Sequence, residues 1–168
     1  MTFDREKFKA LVHYIIARTG EGDGLEAAKL DRLLWLIDTR SYALRGSSVT
    51  GAIYIREEEG PVPPAIVTTR MELEKEGKIR ITTEPGTNTM RLLVVLAPDL
   101  SLLSKDEIAI ANWGLDKHSL DPWMIDRSWD IAPLGEELPL SSAFASRIRA
   151  PDGDELEWAR AVASQLAR

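Results

Sequence analysis

The chain has no cysteine and only two histidines among 168 residues. The first absence removes disulfides, thiolate metal sites and a cysteine nucleophile, and it fits a reducing compartment such as the cytoplasm. The second leaves little room for histidine chemistry. His13 lies beside the apolar stripe of a helix and reads as a helix-boundary residue without chemistry. His118 stands in DKHSLDPW, where Asp116 and Asp121 could orient it as a general base, but no nucleophile or phosphate cradle accompanies it. The HExxH, GxSxG, Walker A and GxGxxG patterns are all missing. No catalytic residue, cofactor or metal is assigned on these grounds, and the chain is not expected to be an enzyme. Long apolar runs are missing too. Leu92 to Ala97 is far too short to span a bilayer as a helix. The N-terminal stretch interleaves charges with apolar residues, unlike a secretion signal. Positive charge is in deficit, 21 Lys and Arg against 27 Asp and Glu, for a net charge of −6. That balance opposes nonspecific binding to nucleic acid or anionic membrane and leaves room for an acidic face toward a basic protein. A cytoplasmic protein-binding domain is the expectation.

What is present is mostly helical. Phe8, Leu11, Val12, Ile15 and Ile16 repeat at helical spacing and predict a helix from about Asp4 to Thr19, with Gly20 as its cap. Leu30, Leu33, Leu34 and Ile37, widened by Trp35 and Leu36, predict a second, central helix from about Leu25 to Leu44, stopped by Gly46. Val49 to Arg56 alternates as a short strand, with Val49, Gly51, Ile53 and Ile55 on one face. The prolines after it predict a turn at Gly60-Pro61-Val62-Pro63 and a third helix from Pro63 or Pro64 to Gly77. Lys78 to Thr83 and Thr89 to Ala97 read as a hairpin around EPGTN. Ser104-x-x-Glu107 is a capping box that opens a fourth helix, with Ile108, Ala111, Asn112 and Leu115 inward. Asp121-Pro122 starts a short helix through Trp123 and Trp129, Ile131 to Arg149 is irregular, and Asp152 to Arg168 forms a last helix. The fold class is α+β, mainly α, compact and distantly winged-helix-like. One domain covers 1–149, with the helix of 150–168 appended to it.

A winged helix would lay its third helix in a DNA groove. From Ile53 to Glu76, however, Arg56, Arg70 and Lys75 face six glutamates, which repels phosphate. Among these, Glu57, Glu58 and Glu59 alternate in direction along an extended segment, so they converge poorly on a metal ion. They read either as a solvated loop or as a contact surface for a basic partner. Trp35, Trp113, Trp123 and Trp129 read as core, while Tyr54 and Trp158 are open to either role.

Lys29, Leu30, Leu33, Leu34, Trp35 and Asp38 form K-L-x-x-L-L-W-x-x-D. Val49-Thr50-Gly51-Ala52-x-Tyr54, the Gly60-Pro61-Val62-Pro63 turn, a helix ending in glycine and a hairpin follow it, with Ser119-Leu120-x-x-Trp123 after His118. Taken together, this order resembles the Panacea domain, the SocA-like antitoxin family, over about Lys29 to Leu140. The REEE insertion before the GPVP turn departs from the family pattern. The resemblance implies an antitoxin that binds and neutralises a cognate toxin protein. In its SocA-type branch it implies an adaptor that delivers the toxin to the ClpXP protease through the ClpX unfoldase. The alternative is a DNA-binding regulator of its own operon. The expected partner-facing residues are Tyr54, Glu57, Glu58, Glu59, Pro61 and Trp158.

Overall fold

The computed structural model describes residues 2–19, 22–120, 129, 132–147 and 157. Helix α1 (Arg5–Thr19) buries its predicted stripe, and Phe8, Leu11, Val12, Ile15 and Ile16 keep no exposed surface. Two residues of strand β1 (Leu25–Glu26) lead into helix α2 (Ala27–Arg45). Leu30, Leu33, Leu34, Trp35 and Ile37 of α2 are all buried, each stabilising the fold by about 1.5–3 kcal/mol relative to exposure. α2 stops at Gly46, whose φ of 72° and N–H bond to the Tyr42 carbonyl form a left-handed cap that favours glycine.

The next elements are strands β2 (Tyr54–Glu57) and β3 (Gly60–Val62), helix α3 (Ile66–Lys75), strands β4 (Ile79–Thr83) and β5 (Met90–Val94), helix α4 (Lys105–Leu120) and strand β6 (Glu137–Leu138). One antiparallel sheet has the order β1-β5-β4, with Leu25 beside Leu92 and Leu92 beside Ile81. The chain order α1-β1-α2-α3-β4-β5 and this strand order are those of a winged helix. Into that unit, between α2 and α3, the chain inserts the β2–β3 hairpin. The hairpin then recruits β6 to form a second antiparallel sheet, β3-β2-β6. The α+β, mainly α class therefore holds. α2 lies at the centre, in contact with α1, α4, β1, β3, β5 and the 3-10 helix Leu140–Arg147. Among the described residues, no helix is long and apolar enough to cross a membrane.

The capping box closes as its sequence requires. The Ser104 N–H donates to Glu107 Oε2 at 2.8 Å, and the Glu107 N–H donates to Ser104 Oγ at 3.3 Å. Glu107 also takes Lys7 Nζ at 3.0 Å and the Arg45 guanidinium at 3.4 Å, so one buried carboxylate ties α1, α2 and α4. A Cβ on Gly114 would lie 2.8 Å from Ile37 Cγ1, a measure of how closely α4 approaches α2.

Three expectations change. Val49 to Ile53 is not strand. Burial does not alternate there either: Val49, Thr50, Ala52 and Tyr54 are all buried, while Ile53, on the same side of the expected strand as Val49, is 53% exposed. Hydrogen bonds to Asp38, described below, override the alternation. Gly60-Pro61-Val62 is an edge strand rather than a turn, with Pro61 opposite Arg56, and an edge is where a strand tolerates proline. The stretch expected to be irregular, Ile131 to Arg149, contains β6 and the 3-10 helix. The Gly20 cap, the short helix at Asp121-Pro122, Trp123, the 149/150 boundary and the C-terminal helix fall outside the described residues, apart from Trp129, which is buried, and Glu157, which is exposed.

Candidate functional site

The residues that carry the family resemblance build a buried polar node. The Asp38 carboxylate, fully buried on α2, accepts the Val49 N–H at 2.8 Å, the Thr50 hydroxyl at 3.2 Å and the Tyr54 hydroxyl at 2.8 Å. The Tyr54 ring packs edge-on against Trp35 with centroids 5.1 Å apart. Gly51 has φ 73°, and a Cβ there would meet the Thr2 carbonyl oxygen at 2.6 Å, so only glycine fits. The Asp4 N–H then bonds the Thr50 carbonyl at 2.8 Å, fastening the start of α1 to the same loop. No cation touches Asp38 among the described residues. Burial pushes its carboxyl up to about 6, although the bonds from Tyr54, Val49 and Thr50 pull it down. Asp31, two turns earlier on α2, is also raised to about 6 by burial, against the attraction of Arg70 and Arg32. The node's work is structural: it hangs the hairpin on α2.

The hairpin presents the acidic residues. Glu57 pairs with Gly60, so Glu58 and Glu59 form a two-residue turn. Neither has a positive φ, and Gly60, at φ 134°, takes the left-handed conformation instead. Glu57, Glu58 and Glu59 are exposed, with no cation at ion-pair distance among the described residues. Glu59 borders an open cleft of about 570 Å³, shared with Arg32 of α2 and with Asn88, Thr89 and Met90 at the tip of the β4–β5 wing. Glu26 at the cleft's edge differs, because Lys29 and Arg91 neutralise it at 3.3 and 3.4 Å.

Tyr54 and Pro61, expected to face a partner, are both buried. Tyr54 serves the node, and Pro61 sits in the ladder. Of the expected surface the structure brings together only the three glutamates, and Trp158 lies outside the described residues. His13 is buried and donates from Nε2 to the Leu96 carbonyl at 2.9 Å. Burial lowers its pKa, which keeps it neutral and fits a residue without chemistry. The His118 side chain is outside the described residues. No group of His, Asp and Glu able to hold a metal occurs among the described residues.

One surface had no counterpart in the sequence reading. α3 buries Ile66, Thr69 and Leu73 and turns Val67 and Met71 outward, 53% and 63% exposed. The signal was available: a helix with apolar pairs on two faces has one pair left over once it packs on one side. In comparison with known proteins the chain matches no family model, no curated protein and no solved structure.

Proposed function

We propose that the chain is the antitoxin of a bacterial toxin–antitoxin pair and that it neutralises its toxin by binding it. The reading rests on the resemblance to the Panacea domain. The observation that carries it here is the acidic hairpin tip, with Glu57, Glu58 and Glu59 exposed, without an ion-pair partner among the described residues, and held by a turn anchored through Tyr54 to Asp38. A rigid tip loses little freedom on binding. Three exposed carboxylates in a row favour a basic partner surface and speed its approach at low salt. In this proposal the toxin is a basic protein, and the bound toxin is passed to ClpXP as in the SocA-type branch.

The test is an affinity pull-down of the tagged chain from its host, with and without active ClpXP, read by mass spectrometry. One small basic protein recovered in near-equal amount, and in larger amount when the protease is absent, supports antitoxin and adaptor together. An amount independent of the protease supports blocking alone. A Glu57→Lys, Glu58→Lys, Glu59→Lys variant that folds normally and retains the toxin as tightly as the parent removes the tip from the proposal.

The second reading, a regulator that binds its own promoter, is favoured by the winged-helix order. It is opposed by α3, where Val67 and Met71 take the outward positions and Glu72 and Glu74 offset Arg70 and Lys75. A mobility shift with promoter DNA at physiological salt decides it, and no shift is expected.

A further inference from the structure

Arg32 and Glu59 line one cleft from two walls, α2 and the β2–β3 hairpin, yet form no ion pair with each other or with any other described residue. Arg32 is fixed in place. Its stem packs on the hairpin, with Cγ 3.7 Å from where a Cβ on Gly60 would lie. Its Nε is shut off from solvent and has no hydrogen-bond partner among the described residues. A shielded donor without an acceptor costs free energy, and such groups mark places where a ligand or an ordered water completes the bonding. Asp31, the preceding residue on α2, is drawn by the Arg32 charge but is buried and does not line the cleft.

The other charges at the cleft are already matched. Glu26 meets Lys29 at 3.3 Å and Arg91 at 3.4 Å, and Arg91 also meets Glu84 at 3.6 Å. Those four charges cancel, and Glu57 and Glu58 do not line the cleft. Arg32 and Glu59 cancel as well, so the cleft is neutral in sum and divided in space, positive at α2 and negative at the hairpin. α2 strengthens its own side. Its first turn has no acidic residue and no side-chain cap, and Ala27 and Ala28 open it to the cleft. The first amides of a helix and its positive end then face the same space as the guanidinium. The Asn88 amide and the Thr89 hydroxyl, at the wing wall, also have no side-chain partner among the described residues.

One ligand that bears both charges satisfies both walls. We propose that the cleft binds a small zwitterion, a free amino acid or the end of a short peptide. Its carboxylate sits at Arg32 and the start of α2, where a charge-assisted, two-pronged contact is available, and its ammonium group sits at Glu59. A phosphate ester would bring its second negative charge toward Glu59, and a simple cation would meet Arg32, so neither fits both walls. The cleft volume of about 570 Å³ lies within the roughly 300–1,000 Å³ usual for small-molecule sites. The inference does not depend on the antitoxin reading, because binding is measured on this chain alone.

Backbone amide NMR shifts of the full, isotope-labelled chain test it. The probes are glycine, β-alanine, γ-aminobutyrate and aminohexanoate, which step the two charges apart, and the dipeptide glycylglycine. Acetate and inorganic phosphate are the anion-only controls. Saturable shifts at Ala27, Ala28 and Glu59 are expected, tightest at one charge spacing and weaker for both controls. Arg32→Gln keeps the stem on Gly60 and should raise Kd by about tenfold. Glu59→Gln, at an exposed turn position, should raise it by about threefold or more with Tm unchanged. If Arg32→Gln lowers Tm, Glu59→Gln alone carries the test. A preference for glycylglycine assigns the site to a peptide end, and a preference for a free amino acid assigns it to that. The proposal is overturned if no zwitterion gives saturable shifts at tens of millimolar, in which case Arg32 and Glu59 close on each other in solution. It is also overturned if acetate or phosphate binds as tightly as the best zwitterion, or if affinity is indifferent to Glu59→Gln.

Discussion

Replacing Asp38 with asparagine should change stability by an amount that depends on pH, and the sign follows from the node. Asp38 is fully buried and its carboxyl is raised from 3.8 to about 6, burial outweighing its three donors. The folded protein thus holds this proton more tightly than the unfolded chain does. The associated stability is fully present below pH 3.8 and is lost as the pH rises through 6. At about 1.4 kcal/mol per pH unit the full loss is about 3 kcal/mol. About 2 kcal/mol of it falls between roughly pH 4 and pH 8. Asparagine does not titrate. It keeps an acceptor for the Val49 N–H but disturbs the bond from Tyr54, which costs stability at every pH. Urea unfolding of both proteins, followed through tryptophan fluorescence, should show the variant less stable at pH 4. The gap should narrow by about 2 kcal/mol toward pH 8. Asp31 titrates in the same range and with the same sign, but it is present in both proteins and cancels in the difference. A gap independent of pH would refute the reasoning. So would one that widens toward pH 8, because the three donors would then be holding Asp38 ionised against its burial.

Gly51→Ala puts a Cβ 2.6 Å from the Thr2 carbonyl oxygen at φ 73°; it should destabilise the fold by about 1–3 kcal/mol, read as a lowered Tm. Glu107→Gln keeps an acceptor for the Ser104 N–H, as a capping box allows, but removes the charge that Lys7 and Arg45 share, and a loss of about 2 kcal/mol is expected at neutral pH by urea unfolding. Burial raises the Glu107 carboxyl, but the Ser104 and Lys7 contacts leave it below its ordinary 4.5. Its stabilisation is therefore present above pH 4.5 and fades as the pH falls through the lower folded value, so this deficit should shrink in acid. Gly114→Ala drives a methyl to 2.8 Å from Ile37 Cγ1 and should cost about 1–3 kcal/mol of stability in the same assay.

What the sequence revealed is what local spacing encodes. α1 and the end of α2 at Gly46 follow from periodicity and a glycine, the β4–β5 hairpin from its β-rich runs, and the capping box from two residues three apart. What it concealed depends on partners far along the chain. The path of Val49 to Tyr54 is set by Asp38, up to sixteen residues away, so the alternation expected of a strand is not kept there. Tyr54 and Pro61 were misplaced for the same reason, since their burial requires α2 beneath the hairpin and β2 beside it. Glu57, Glu58 and Glu59 were legible as exposed because a run of three charged side chains next to a Gly-Pro step belongs at a solvated turn. On α3 the spacing announced apolar pairs, Ile66 with Leu73 and Val67 with Met71, but spacing alone does not say which pair faces the core.

The hairpin's second partner has a consequence for how the chain is made. β2 pairs with β6 through Tyr54 and Leu138, residues separated by most of the second half of the described chain. α2 is likewise covered on other sides by α4 and by the 3-10 helix Leu140–Arg147. On a ribosome adding about 5–20 residues per second, β2 emerges on the order of ten seconds before its late partner. During that interval Trp35 and the apolar sides of α2 have only part of their cover. Over that interval the exposed apolar sides of α2 are open to nonspecific association.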